Sequence, residues 1–363
     1  MMTDTLKNPN PLPKTEPRVP GDAPAAPAAP TERKADAKPQ GRRSKVFLVL
    51  GFLVTLVAAL VALGAWWSLQ PAKFDVVENA RAITGTDMTT PIAGAVTVAT
   101  AIKVAETLLD KPGGYVYNDV LPPGVLMDNL PSWEYGALTE LRDSVRSLRN
   151  DFSRSQTQSI ENIELKNADS KFNFDADAWF LPAAEEEYRE GVVALRAYLD
   201  ALVAGENQTA RFYARADNLS AYLAVVEKRL GSYGQRLSSS VGDAELTAAL
   251  TSMGGAEAQT LERTEWDQID NVFFEARGYT WALLHMMKAL SVDFGDVLQD
   301  KNAEVSKQQI IRDLELASIR KWSPMVLNGH GYGVLANHSL VLASYIARAN
   351  AAVLDLRMLL QRG

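Results

Sequence analysis

Hydrophobic positions along this chain fall into three regimes. From Val46 to Leu69 the sequence VFLVLGFLVTLVAALVALGAWWSL contains no charge and no proline. As a helix rising 1.5 Å per residue it would be about 36 Å long, enough to cross a hydrocarbon core of ~30 Å with some tilt. Before it, residues 1–45 show no apolar period. After it, apolar residues return every three or four positions. Tyr188, Val192, Leu195, Leu199 and Leu202 form one such stripe, and Phe212, Ala216, Leu219, Leu223, Val226 and Leu230 another. Phe273, Ala276, Thr280, Leu283, Met287, Leu290, Phe294 and Val297 continue the pattern, and so do Leu335, Ser339, Leu342, Ile346, Ala349, Val353, Leu356 and Leu360. Alternating spacings of three and four put these residues on one narrow helical face, which packs with a shallow left-handed crossing.

Further helices are predicted around these. Pro91 to Leu109 reads as a buried helix with Thr90 as N-cap. Pro131 opens a helix with Trp133, Ala137, Leu141, Val145, Leu148 and Phe152 on one side, and Gln308 to Lys321 forms a shorter one. Only Phe172 to Phe180 alternates as a strand would. The break at Gly205-Glu206-Asn207 is short, so the helices flanking it are expected to form an antiparallel hairpin. The fold class predicted is all-α: a single transmembrane helix followed by an antiparallel helical bundle with coiled-coil-like packing.

Charge orients this arrangement. Arg42, Arg43 and Lys45 precede the apolar run, and Trp66 and Trp67 close it. Basic residues stay on the cytoplasmic side and tryptophans favour the interface, which places the N-terminus inside. A cleaved signal peptide has a short leading segment, whereas 45 residues precede this span, so an anchor is the expectation. The domains expected are 1–45, a disordered Pro/Ala-rich cytoplasmic tail; 46–69, the transmembrane helix, with the lipid bilayer as its partner; and 70–363, a periplasmic helical domain. Residues 1–45 hold nine Lys/Arg and five Asp/Glu, a balance of +4, which leaves −11 of the total −7 for the rest. An acidic outer domain argues against nucleic acid. Cysteine is absent, which excludes disulfides, thiolate metal sites and a cysteine nucleophile.

Candidate chemistry is sparse. Arg142, Arg146 and Arg149 share a helical stripe, with Arg154 just beyond, and such a strip can hold an anion or a protein partner. It can equally be a solvated face balanced by Asp143 and Asp151. The loop Lys111 to Pro131 holds four prolines and three glycines; long irregular loops often carry function. Trp133 and Glu134 stand at its end, the first a plug between loop and bundle, the second an isolated candidate acid. His285, His330 and His338 lack the spacing of a zinc motif, and Asp175 and Asp177 lack the glycine and distal glutamate of a calcium loop. No nucleophile elbow, SxxK or kinase motif is present. No metal, cofactor or catalytic residue is therefore expected.

Several segments resemble a known family. Lys111-Pro112-Gly113-Gly114-Tyr115, Asn118 through Gly124, Pro131-Ser132-Trp133-Glu134-Tyr135-Gly136, Arg149 through Gln156 and Phe172-Asn173-Phe174-Asp175 are similar to an uncharacterised proteobacterial inner-membrane family, domain-of-unknown-function family 2333. The resemblance implies a Gram-negative inner-membrane protein facing the periplasm. It carries no catalytic residue to transfer.

The function expected from these readings is a scaffold or adapter of the cell envelope that binds a periplasmic or membrane protein, more readily than an enzyme. Two alternatives stand beside it. One is an envelope enzyme acting on peptidoglycan or lipid headgroups, with Glu134, Asp119 and the arginine strip around a cleft. The other is a sensor of small anionic ligands that uses Arg142, Arg146 and Arg149.

Overall fold

The computed structural model describes residues 40–87, 92–155, 160–206, 210–239, 264–319, 321, 323, 325–329 and 334–362. Among them are eleven α-helices: α1 (Gln40–Trp67), α2 (Val76–Thr84), α3 (Ala95–Asp110), α4 (Asn129–Ser147), α5 (Ile163–Phe172), α6 (Ala184–Val203), α7 (Ala216–Ser238), α8 (Ile269–Asp293), α9 (Gly295–Asp300), α10 (Glu304–Ala317) and α11 (His338–Gln361). The chain divides within α1 into two units, residues 1–53 and 54–363. Of the first unit, the described part is helical. The tail expected over residues 1–45 lies almost wholly outside the described residues. The second unit is the helical bundle, as the periodicity predicts.

Among the described residues two helices are long and apolar enough to cross a membrane, Lys45–Trp67 and His338–Gln361. They differ in what covers them. The first leaves its large side chains from Val46 to Val57 exposed, whereas Leu342, Ile346, Val353 and Leu356 of the second are buried in the core.

The bundle is built around α8. Every residue from Ala276 to Met287 is buried, so the helix is covered on all sides rather than along one stripe. Its closest neighbour is α4, which runs parallel to it. The Trp133 ring lies tilted, 5.2 Å from Trp281, near one end, and Phe152, in a π-helical turn after α4, lies 5.3 Å from Phe294 at the other. Two glycines let the backbones meet: a Cβ on Gly136 would lie 1.9 Å from the carbonyl oxygen of Glu275. Outside this pair, α7 and α11 pack antiparallel, with Gly231 against Asn350 and an ion pair from Arg357 to Glu227. Helix α10 packs antiparallel on α11 through Arg348 and Asp313 at 2.7 Å.

The expected hairpin between α6 and α7 does not form. Helix α6 packs on α3 and α5, while α7 packs on α11. The connection is longer than the Gly205 break suggested, and its end is extended. The Tyr213 N–H donates to the Phe152 carbonyl at 2.7 Å, and the Tyr198 hydroxyl donates to the Arg211 carbonyl at 2.5 Å. Phe212, counted above as the first position of a helical stripe, is instead a loop anchor in a triad with Phe152 and Phe294. It lies where a Cβ on Gly94 would fall, and that glycine (φ 84°) precedes α3 as its N-cap. Helix α3 thus begins at Ala95 rather than Pro91; Thr90 and Pro91 lie outside the described residues. Residues 173–183, which hold most of the short alternating stretch, form a loop, as an all-α fold requires, and the isolated bridge Asn328–Asn337 is the β pairing among the described residues.

The segment leading out of α1 is fastened to α8. Gln70 accepts a hydrogen bond from Arg277 at 2.7 Å. The Phe74 N–H donates to His285 Nε2 at 3.2 Å, and the two rings stack at 4.1 Å. His285 Nδ1 therefore carries the proton and donates to the Trp281 carbonyl at 2.7 Å. Burial lowers this imidazole to a pKa of about 4, so it is neutral, and its role is to hold the segment.

Candidate functional site

The proline-rich loop is tied to the bundle by the residue expected to do chemistry there. Glu134 on α4 is fully buried and forms an ion pair with Lys111, which is also buried and donates to the Gly114 carbonyl. The same carboxylate accepts the backbone N–H groups of Val116, at 3.0 Å, and Tyr117, at 2.8 Å. Burial opposes its charge and raises its pKa to about 7, while Lys111 and the amide donors pull it back down. Such a group orders a loop; it has no surface to present to a substrate. Trp133 beside it is buried in the core against Trp281 of α8.

The arginine strip is spent within the domain. Arg142 donates to the carbonyls of Phe172 at 2.6 Å and Phe174 at 2.7 Å, and to the Tyr188 hydroxyl at 3.2 Å. Arg149 reaches Asp169 at 2.7 Å and forks onto Glu161 at 3.0 Å. Arg146, half exposed, donates to Asn173 at 3.0 Å, and Arg154 lies 3.9 Å from Glu161. The strip fastens α5 and the following loop to α4. Asp119 packs against Gly124 within its own loop, so the structure does not gather Glu134, Asp119 and the strip around one open cleft.

Periodicity did not bring forward the site that is open. Between α8, the end of α10 and the start of α11 lies a cavity of about 380 Å³, within the range of small-ligand pockets. Phe273, Leu316, Val341, Leu342 and Tyr345 make its apolar wall, and Arg277, Lys321 and His338 supply its polar groups. Arg277 is 4% exposed. It donates to the Ala317 carbonyl at 3.2 Å, the Ile319 carbonyl at 2.8 Å and Gln70, while its Nε has no partner among the described residues. Those acceptors are neutral. Burial alone lowers the guanidinium to about 10, which leaves it charged at neutral pH.

The two companions feel that charge. Lys321 is lowered first by burial and then by Arg277, and His338 by burial, Lys321 and Arg277. His338 Nδ1 accepts the Leu327 N–H at 3.0 Å, which leaves Nε2 as the nitrogen that bears a proton. A buried cation among neutral acceptors is costly unless a counter-charge arrives. The arrangement suits an anion whose remaining body is apolar. Among the described residues no cluster of His, Asp and Glu is fit to hold a metal ion, and His330 lies outside them.

One signal in the sequence marked this place. Arg277 is the one Lys, Arg, Asp or Glu between Glu275 and Lys288, but Lys321 and His338 join it from 44 and 61 residues away in the chain, beyond any helical spacing.

No curated protein and no solved structure matches the chain. The model of one family, described as uncharacterized protein conserved in bacteria (DUF2333), matches residues 41–363, nearly the whole of the chain after its proline-rich start. The chain belongs to that family of uncharacterised bacterial proteins.

Proposed function

We propose that this is a single-pass inner-membrane protein whose helical domain lies on the periplasmic side and binds a small anionic ligand in the Arg277 cavity. The domain would report that ligand to the membrane segment. The observation that carries the reading is the buried Arg277 guanidinium, without a carboxylate partner among the described residues, in the wall of an open apolar cavity. This keeps the anion-sensing alternative and moves its site from the arginine strip to α8. A scaffold or adapter would have to capture its partner elsewhere than on that strip, whose guanidinium groups are engaged within the domain. An enzyme built on Glu134 is not supported, because both carboxylate oxygens are occupied and enclosed.

The test is thermal unfolding of the full-length protein in detergent with inorganic phosphate, a short fatty acid or a lysophospholipid added. Binding to the folded state alone stabilises it by RT ln(1 + L/Kd) for free ligand at concentration L, so the melting temperature climbs with the logarithm of ligand excess. A rise that Arg277→Gln abolishes supports the reading, and phosphate against the amphiphiles separates a bare anion from one with an apolar tail. Melting unmoved by all of them overturns it.

A further inference from the structure

Two loops of the bundle present bare apolar side chains at the place where α1 ends. In the proline-rich loop Val120, Leu121, Val125 and Leu126 are exposed, Leu121 to 73% and Leu126 to 78%. In the loop before α6 Trp179, Phe180 and Leu181 are exposed, Leu181 to 78%. Neither Val120 to Met127 nor Ala178 to Ala184 contains a charged residue. The loops are joined at their base: the Asn118 side-chain amide donates to the Ala178 carbonyl at 2.7 Å and to Glu185 at 2.8 Å. They are therefore one surface, held by the Glu134 anchorage described above, rather than two independent tips.

The position of this surface relative to α1 decides what covers it. A Cβ on Gly64 would lie 3.5 Å from Pro123, and one on Gly113 would lie 2.7 Å from the Trp67 ring. Gly64 precedes Trp67 by three residues, about 4.5 Å along the helix on the apolar side. Tryptophans at the end of a spanning helix lie at the headgroup level. Pro123 then touches the helix below that level, with Leu121, Val125 and Leu126 around it in the loop. Trp179 and Phe180 are residue types that favour the same zone, and a contiguous exposed apolar patch on a folded domain marks an interaction site.

We infer that the loops 120–127 and 178–182 dip into the bilayer leaflet beside α1, so that the domain is seated on lipid by a second, non-spanning contact. The inference rests on the membrane-anchor reading of α1. Its occupant is lipid because the patch continues the apolar surface of the helix end it touches. Wedge-like insertion of uncharged loop residues flanked by aromatics is the physics of an interfacial anchor, driven by apolar burial.

The chain has no cysteine, so a single introduced thiol can be labelled without removing another. Full-length variants Leu121→Cys, Leu126→Cys and Phe180→Cys, each at an exposed position outside the core, would carry an environment-sensitive fluorophore in phosphatidylcholine nanodiscs. Val57→Cys in α1 and Val305→Cys at the start of α10 serve as references. Brominated acyl chains should remove most of the emission at positions 57, 121, 126 and 180 and leave that at 305 unchanged. Quenching at 57 with none at 121, 126 and 180 overturns the seating while the anchor stands. Absence of quenching at 57 overturns the anchor reading, and the seating falls with it.

Discussion

Gly278 of α8 lies against the carbonyl of Trp133 on α4 so closely that a Cβ there would come within 1.8 Å of the oxygen. Gly136 makes the reciprocal approach to Glu275, so the central parallel pair is a backbone contact set by two glycines. No side-chain rotation can relieve a clash with a carbonyl. Gly278→Ala or Gly136→Ala is expected to cost about 3 kcal/mol or more, because α4 and α8 must separate and the Trp133–Trp281 contact with them. Circular dichroism melts of the full-length protein in detergent check this.

Removing arginines from the strip should act on stability rather than on ligand capture. Arg142→Ala removes the guanidinium from the Phe172 carbonyl and the Tyr188 hydroxyl and leaves the Phe174 carbonyl only the Tyr188 hydroxyl at 3.3 Å, and a loss of about 2 kcal/mol is expected. Arg149→Ala, which frees Asp169 and Glu161, should lose about 1–2 kcal/mol, and the half-exposed Arg146→Ala less than about 0.5 kcal/mol. If instead the substitutions left melting unchanged and abolished anion binding, the strip would be the site.

Glu140 should make stability fall with rising pH. It is fully buried beside α7, and its Oε1 accepts from the hydroxyls of Tyr222 and Ser144. Burial raises its pKa from 4.5 to about 8, and nearby Asp143 adds to the shift. The folded state therefore holds a proton that the unfolded state releases above its ordinary pKa. This group's contribution is complete below pH ~4.5 and declines as pH rises toward about 8, where folding must bury a charge. Glu140→Gln, which mimics the protonated form, should flatten the pH dependence of melting over that window. An unchanged slope would refute the assignment.

Lys321 gives a test of the cavity that spares the fold. Its ammonium donates to the Ser323 carbonyl and lies 5.6 Å from the Phe274 ring centre, contacts at the edge of the structure. Lys321→Ala should change ligand-free stability by less than about 0.5 kcal/mol. It should weaken binding of an anionic amphiphile about tenfold, the weight of one charge-assisted contact of ~1.4 kcal/mol. Isothermal titration with the chosen amphiphile would show it. Binding by the variant as tight as by the parent would take Lys321 out of the site.

Periodicity made the helices legible, because a buried stripe repeats in the sequence whatever it packs against. Trp133, Leu141, Leu195, Leu230, Leu283 and Val353 are all core, as expected. Pairing was less legible. The contact of α4 with α8 depends on glycines separated by more than a hundred residues, and glycine adds nothing to a hydrophobic stripe. The α6–α7 hairpin failed because Phe212 fitted the helical period while serving in an extended connection. The arginine cluster was visible as charge, but its partners include two backbone carbonyls, the Tyr188 hydroxyl of α6 and the carboxylates of Asp169 and Glu161, none of which is the Asp143 or Asp151 that helical spacing offered. The cavity was hidden for the opposite reason: Arg277 looked like one polar residue in a core helix until the fold brought Lys321 and His338 beside it.

The fastening of the segment after α1 has a mechanical consequence. Gln70, the clamp, lies three positions after Trp67 with only Ser68 and Leu69 between, a chain length of at most about 11 Å. A domain held on so short a leash has no reach. On the membrane-anchor reading of α1, it cannot sweep a volume in search of a distant partner, as one on a flexible linker would. The clamp also makes α1 and the cavity share one guanidinium. A shift at the end of α1 that moved Gln70 would bear directly on the group that lines the cavity.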